Sequence, residues 1–137
     1  MRTLACDAIL IENGKLLLIK RGNMPEKGKW ALPGGRLEEN ETVEECLRRE
    51  AREETGLEVE PLKLMGVYSD PARDSRKIVS LVYIVKRTGG EPKAGTDAAE
   101  VAFFELNQLP LLAFDHEEII ADLKKLITLP SSQGRQG

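Results

Sequence analysis

The chain has 137 residues, 41% hydrophobic and 31% charged, with 20 Lys and Arg against 23 Asp and Glu for a net charge of −3. These values fit a soluble globular protein of about one domain. They argue against a bilayer span, which needs roughly 20 consecutive apolar residues, and against a nucleic-acid polymer as partner, because no extended basic run occurs.

From the N-terminus, the apolar pattern of Leu4 to Ile11 is broken at Asp7, so the continuous stretch of a secretory signal is missing and a cytoplasmic location is expected. Asn13-Gly14, between that run and Leu16 to Ile19, favours the positive φ of a tight turn and predicts an antiparallel hairpin. Residues Gly22 to Lys29 read as a loop into Trp30-Ala31-Leu32 and the breaker cluster Pro33-Gly34-Gly35. Thr42 and Glu45 form a capping box, and Gly56 supplies a stop, so a helix of about fourteen residues is predicted. Leu62 to Tyr68, Ile78 to Val85 and Val101 to Leu106 read as strands, Ser69 to Lys77 as a loop and Gly89-Gly90 as a turn. Asp115 and Glu118 repeat the capping-box spacing ahead of a helix with Ile119, Ile120, Leu123 and Ile127 on one stripe. Pro130 ends it, so residues 1–130 are expected to form one domain and 131–137 a flexible tail. Cys6 and Cys46 form no CxxC pair and are expected to be small buried hydrophobes.

On a helical wheel Glu50, Glu53 and Glu54 share one narrow face with Val43, Cys46 and Leu47 of the earlier turns. A stripe that begins apolar faces inward, and half-buried carboxylates packed together repel one another and lose hydration. Hard divalent cations with oxygen ligands suit such a cluster. Taken alone, the face could also be a solvated one held by ion pairs such as Arg49 with Glu53.

The wider spacing decides between these readings. Gly35, five residues, Glu41, seven residues, then Arg49-Glu50-Ala51-Arg52-Glu53-Glu54-Thr55-Gly56-Leu57 resembles the Nudix box at every charged and glycine position. Seven fixed positions match by chance on the order of once in 10⁸ windows. Ala51 is smaller than the family's usual aliphatic residue there and bears on packing alone. The resemblance implies an α/β (α+β) Nudix fold, a mixed sheet sandwiched between helices, and hydrolysis of a diphosphate linkage. It implies that Glu50, Glu53, Glu54 and the Gly34 carbonyl bind Mg²⁺, or Mn²⁺ in its place, with more than one ion per site. It makes Arg49 the residue that orients the carboxylates, and Glu41 a supporting group. Glu53 or Glu54 could take the proton of the attacking water. A glutamate of a later loop serves as base in several relatives, and Glu100, with Asp97 as alternate, is the candidate for that role here. Gly34 and Gly35 are expected to turn the chain sharply toward the helix, with a side chain on Gly34 costing activity more than stability.

Beyond the box, Ser69 to Arg76, Gly95 to Glu100 and Leu112 to His116 look like the short ADP-ribose pyrophosphatases, as does Pro71, about fifteen residues after Gly56. Arg36, Arg73, Asp74, Arg76 and His116 are the expected substrate contacts. The expected partner is a small nucleotide, ADP-ribose, cleaved to AMP and ribose 5-phosphate, with a homodimer left open. Two alternatives stand beside it: a Nudix pyrophosphohydrolase of oxidised or non-canonical nucleoside triphosphates, and a non-catalytic nucleotide-sensing module. Trp30 reads as core before base-stacking platform.

Overall fold

A computed structural model describes residues 1–95 and 97–128; Pro130 and the expected tail at 131–137 lie outside the described residues. The described residues form eight strands and two helices. These are β1 (Leu4–Ile9), β2 (Ile11–Glu12), β3 (Lys15–Arg21), β4 (Trp30–Ala31), β5 (Gly34–Arg36), α1 (Val43–Thr55), β6 (Leu57–Tyr68), β7 (Val79–Gly90), β8 (Ala98–Glu105) and α2 (His116–Thr128). One sheet has the order β5-β1-β7-β6, with β1 and β7 parallel and the rest antiparallel. The other runs β2-β3-β4, with β8 also pairing β3.

Alternation along β1 explains the layering. Cys6 and Ala8, with Leu10 just beyond, pack against Cys46, Leu47 and Ala51 of α1, whereas Ile9 packs with Ile119, Ile120 and Leu123 of α2. Because successive strand residues point to opposite faces, each helix covers a different side of the sheet. Both cysteines are free and buried. Trp30 packs edge-to-face on Phe104 with ring centroids 4.8 Å apart, as a core residue does.

Helix α1 begins as its sequence dictates. The Thr42 hydroxyl accepts the Glu45 N–H at 3.1 Å, and the Glu45 carboxylate accepts the Thr42 N–H at 2.8 Å. Gly56, at φ 77°, closes the helix. The first hairpin is shorter than expected. Only β2 pairs β3 across Asn13-Gly14, while β1 belongs to the other sheet, so the run from Leu4 to Ile11 passes from one sheet to the other at Leu10. Strand β6 starts directly after the helix, five residues ahead of Leu62; the pairing shifts register around Pro61, which has no N–H to give the ladder. Gly89-Gly90 is no turn but the end of β7, paired with Glu58 and Leu57. The loop at 69–77 contains one short 3-10 turn, Pro71–Arg73, capped by Asp70.

The second capping box does not form in its expected way. Glu118 N–H bonds the backbone carbonyl of Asp115 at 2.9 Å, because the Asp115 carboxylate is taken by both ends of the Arg73 guanidinium at 2.6 and 2.7 Å. Next to it His116 is buried, its Nδ1 accepting the Leu32 N–H at 3.0 Å. An accepting Nδ1 requires the neutral ring, and burial holds the His116 pKa down at about 4. A folded value below the unfolded one gives stability that is complete above about 6.5 and lost as pH falls toward 4. His116→Asn keeps an acceptor but cannot titrate. Urea unfolding should therefore show the stability difference between wild type and this variant shrinking by about 2 kcal/mol from pH 7.5 to pH 5. A difference independent of pH would show that His116 is not held neutral.

Candidate active site

Strand β5 sets the position of the cleft. The bonds Ala8 N–H to Pro33 carbonyl and Leu37 N–H to Leu4 carbonyl, both near 2.8–2.9 Å, put Gly34, opposite Asp7, at a non-hydrogen-bonded pair of the antiparallel ladder. Its N–H and carbonyl both point away from β1. The N–H donates to Glu54 Oε1 at 2.8 Å, and the carbonyl leaves on the same side, as an oxygen ligand must. Neither Gly34 nor Gly35 has a positive φ, so the sharp-turn reading is corrected. Glycine is needed here for close approach: a Cβ on Gly34 would collide with the Cys6 carbonyl and Asp7, and one on Gly35 with the Glu50 carboxylate. A side chain on Gly34 would therefore cost stability through these contacts.

Helix α1 brings its acidic face against these glycines. Glu54 is buried, Glu50 is largely covered and the Glu53 side chain is about half exposed, at 47%. Burial, reinforced by the neighbouring carboxylates, raises Glu54 to about 8 and pushes Glu50 upward too. Arg49 answers this charge. Its guanidinium reaches Glu41 at 2.7 Å, Glu50 at 2.9 Å, Glu53 at 3.2 Å and the Arg36 carbonyl at 3.0 Å. The bond from Arg49 holds Glu41 down at about 2.

Two connected hollows result. An outer cleft of about 420 Å³ includes Arg36, Glu38, Arg49, Glu50, Glu54 and Asp97 in its wall. An inner cavity of about 80 Å³ includes Asp7, Arg73, Asp74, Arg76, Phe114 and His116 in its wall. They share Arg21, Gly34, Gly35, Arg36 and Glu54. The donors offered to the outer cleft are all oxygens, carboxylate and carbonyl, which is the set a hard divalent cation takes. Among the described residues no three such side chains already converge in metal-binding geometry: Glu54 is bonded to Gly34, and Glu50 and Glu53 to Arg49.

The other expected residues divide. Glu100 sits on β8 opposite Lys20, ion-paired at 3.4 Å with its side chain 58% exposed, and it is absent from the lining of either hollow. Asp97, the alternate, lines the outer cleft and accepts Asn23 Nδ2 at 2.8 Å. Arg76 bonds Asp74 at 2.8 Å and lies 4.5 Å from the Phe114 ring centroid. Arg21, which the sequence reading did not single out, lies 4.9 Å from the same centroid. Asp7 is likewise new. It is buried on the cavity wall, and burial pushes it up to about 7 against the Ser80 hydroxyl and Arg73. Its one signal in the sequence is that it interrupts an apolar strand.

Arg73 has a different station from the one expected. Its side chain is 6% exposed, with Nε and Nη2 on Asp115 and Nη1 on the Ile78 carbonyl, so it ties the 69–78 segment to the start of α2. Arg73→Met should leave Asp115 buried without a partner and cost about 3–5 kcal/mol in urea unfolding, whereas Arg52→Met, at a pair exposed at both ends (53% and 50%), should cost about 1 kcal/mol or less. Equal costs for the two variants would contradict this division.

Comparison with known proteins agrees with the geometry. The model of the NUDIX domain matches residues 1–123. An ADP-ribose pyrophosphatase of Methanocaldococcus jannaschii is 56% identical over 119 residues, 86% of this chain and 70% of that protein. Among solved structures, a bifunctional NMN adenylyltransferase/ADP ribose pyrophosphatase from Francisella tularensis, complexed with AMP and a Mn ion, superposes with a TM-score of 0.78. It is 30% identical, over 92% of this chain and 42% of that one. The NUDIX domain of Shewanella oneidensis NrtR, complexed with ADP ribose, superposes at 0.79 with 27% identity, covering 93% and 90% of the two chains. The family match thus spans the helix, the glycine pair and both hollows almost to the end of α2, and on that ground the chain belongs to the Nudix hydrolase family.

Proposed function

We propose that this chain is a divalent-metal-dependent pyrophosphohydrolase that converts ADP-ribose and water to AMP and ribose 5-phosphate. The observation that carries the substrate is the 56% identity to the M. jannaschii ADP-ribose pyrophosphatase across 86% of the chain. In this reading residues 1–130 act as one catalytic domain. Glu50, Glu53, Glu54 and the Gly34 carbonyl hold Mg²⁺, with Mn²⁺ able to replace it. Bound there, the cations would neutralise the diphosphate and lower the pKa of a water molecule.

The remaining work belongs to the protein's own groups. Water adds to one phosphorus, the bridging P–O bond breaks, and the water proton passes to Glu54, which lines the cleft, or to Glu53 beside it on α1. Glu100, paired to Lys20, is the weaker candidate for that proton. Arg49 holds the Glu50 and Glu53 carboxylates in place, and Arg36, in the wall of the outer cleft, supplies charge-assisted bonds to phosphate oxygens. The shared wall at Gly34, Gly35 and Glu54 lets the diphosphate lie outside while one attached group enters the inner cavity.

The test is a substrate panel with Mg²⁺, comparing ADP-ribose, sugar nucleotides, nucleoside triphosphates and oxidised guanine nucleotides, with products identified by ³¹P NMR. ADP-ribose should give AMP and ribose 5-phosphate, and Glu54→Gln should lower kcat by about 10²-fold or more without unfolding the protein. An oxidised guanine nucleotide cleaved with a kcat/KM a hundredfold above that of ADP-ribose would overturn the substrate. A Glu54→Gln variant of near wild-type rate would overturn the metal site.

A further inference from the structure

The polar groups around the inner cavity are almost all committed. Arg73 is held by Asp115 and the Ile78 carbonyl, Asp74 by Arg76, His116 Nδ1 by the Leu32 N–H and Glu54 Oε1 by the Gly34 N–H. Asp7 differs. It is 6% exposed, and its Oδ2 is the one buried side-chain oxygen or nitrogen without a hydrogen-bond partner among the described residues. Its neighbours on the same face of β1, Ala5 and Ile9, are apolar, so a small aliphatic residue would fit the strand at lower cost. A buried acceptor without a donor costs about 1–3 kcal/mol, and such an exception calls for an explanation.

We propose that Asp7 Oδ2 is the specificity-determining acceptor of the inner cavity, receiving a hydrogen bond from a neutral N–H or O–H on the group attached to the substrate's diphosphate. Neutrality follows from the surroundings. Arg21, Arg73 and Arg76 all line the cavity, and together they disfavour a cationic donor. A phosphate is disfavoured by Asp7 itself and by Glu54. The walls at Ile19, Leu32, Ile78 and Phe114 suit an uncharged ring. Phe114 is held with φ at 52° by the bond from its N–H to Glu26 at 3.0 Å, so the ring beside the two guanidiniums is fixed before any ligand arrives. On ADP-ribose three sets of donors carry the required chemistry: the 6-amino group of adenine, the hydroxyls of the adenosine ribose and those of the terminal ribose. This inference rests on the ADP-ribose reading for the identity of those groups, not for the acceptor itself.

The experiment measures the dissociation constants of AMP and of ribose 5-phosphate by NMR titration in Mg²⁺, for the wild type, Asp7→Ala and Asp7→Asn. Loss of the acceptor, which leaves the ligand's donor buried and unpaired, should weaken one of the two ligands about 10- to 100-fold in Asp7→Ala while leaving the other within about twofold. Asp7→Asn, which keeps an acceptor oxygen, should recover part of the loss. Weakened AMP places the donor at the adenosine end, and weakened ribose 5-phosphate places it on the terminal sugar. If both ligands keep their affinity, if both lose it equally, or if neither binds the wild type, the assignment is overturned. Should the selective loss be found in a protein that does not hydrolyse ADP-ribose, the acceptor stands and the substrate reading fails.

Discussion

The Arg49 guanidinium is the interaction on which the site depends. It touches Glu41, Glu50 and Glu53 at once, three carboxylates that would otherwise repel one another across a largely covered wall. The rest of the architecture serves to create that crowding. A capping box starts α1 at a fixed residue, so that Glu50 and Glu54 arrive opposite β5; two glycines without side chains let Glu50 and Glu54 come within contact of the strand backbone. Were α1 one residue out of phase, its acidic face would turn about 100° and the apolar stripe of Cys46, Leu47 and Ala51 would leave the core. Packing and chemistry are thus fixed by the same register.

The two hollows separate the tasks. The outer cleft holds the carboxylates and the Gly34 carbonyl, oxygen donors whose burial is unfavourable without cations. The inner cavity holds four arginines, one fixed aromatic ring and one uncommitted carboxylate. Arg73 illustrates how the second depends on the fold: its bonds to Asp115 and Ile78 clamp the 69–78 segment onto α2, and that clamp sets where Asp74 and Arg76 stand. A buried pair of this kind contributes position more than net stability.

What could be read from the sequence was local. Thr42, Glu45 and Gly56 specify α1 through bonds spanning three or four residues, and Asn13-Gly14 specifies a turn by backbone preference alone. The box placed Glu50, Glu53 and Glu54 on one face by helical spacing. What escaped notice depends on distant partners. Asp115 looked like a helix cap because its competitor, Arg73, lies 42 residues away. Gly89-Gly90 looked like a turn because nothing nearby shows that β6 begins at Leu57 and pairs with them. Glu100 was favoured over Asp97 by resemblance, whereas the chain turns at Asp97, with φ 67°, and brings that residue to the cleft. Asp7 was visible only as a break in a pattern; its meaning requires the cavity.

The account's central claim is that the α1 face is a set of mutually repelling, desolvated carboxylates that divalent cations relieve. Thermal unfolding of the wild type and Glu54→Gln, each with and without Mg²⁺, tests it most directly. At pH 9, above the Glu54 value of about 8, the metal-free variant should melt higher than the wild type, since one buried charge is gone. Mg²⁺ should raise the wild-type melting temperature by several degrees and the variant's by much less. A wild type that melts above Glu54→Gln in the absence of metal, and is indifferent to Mg²⁺, would contradict it.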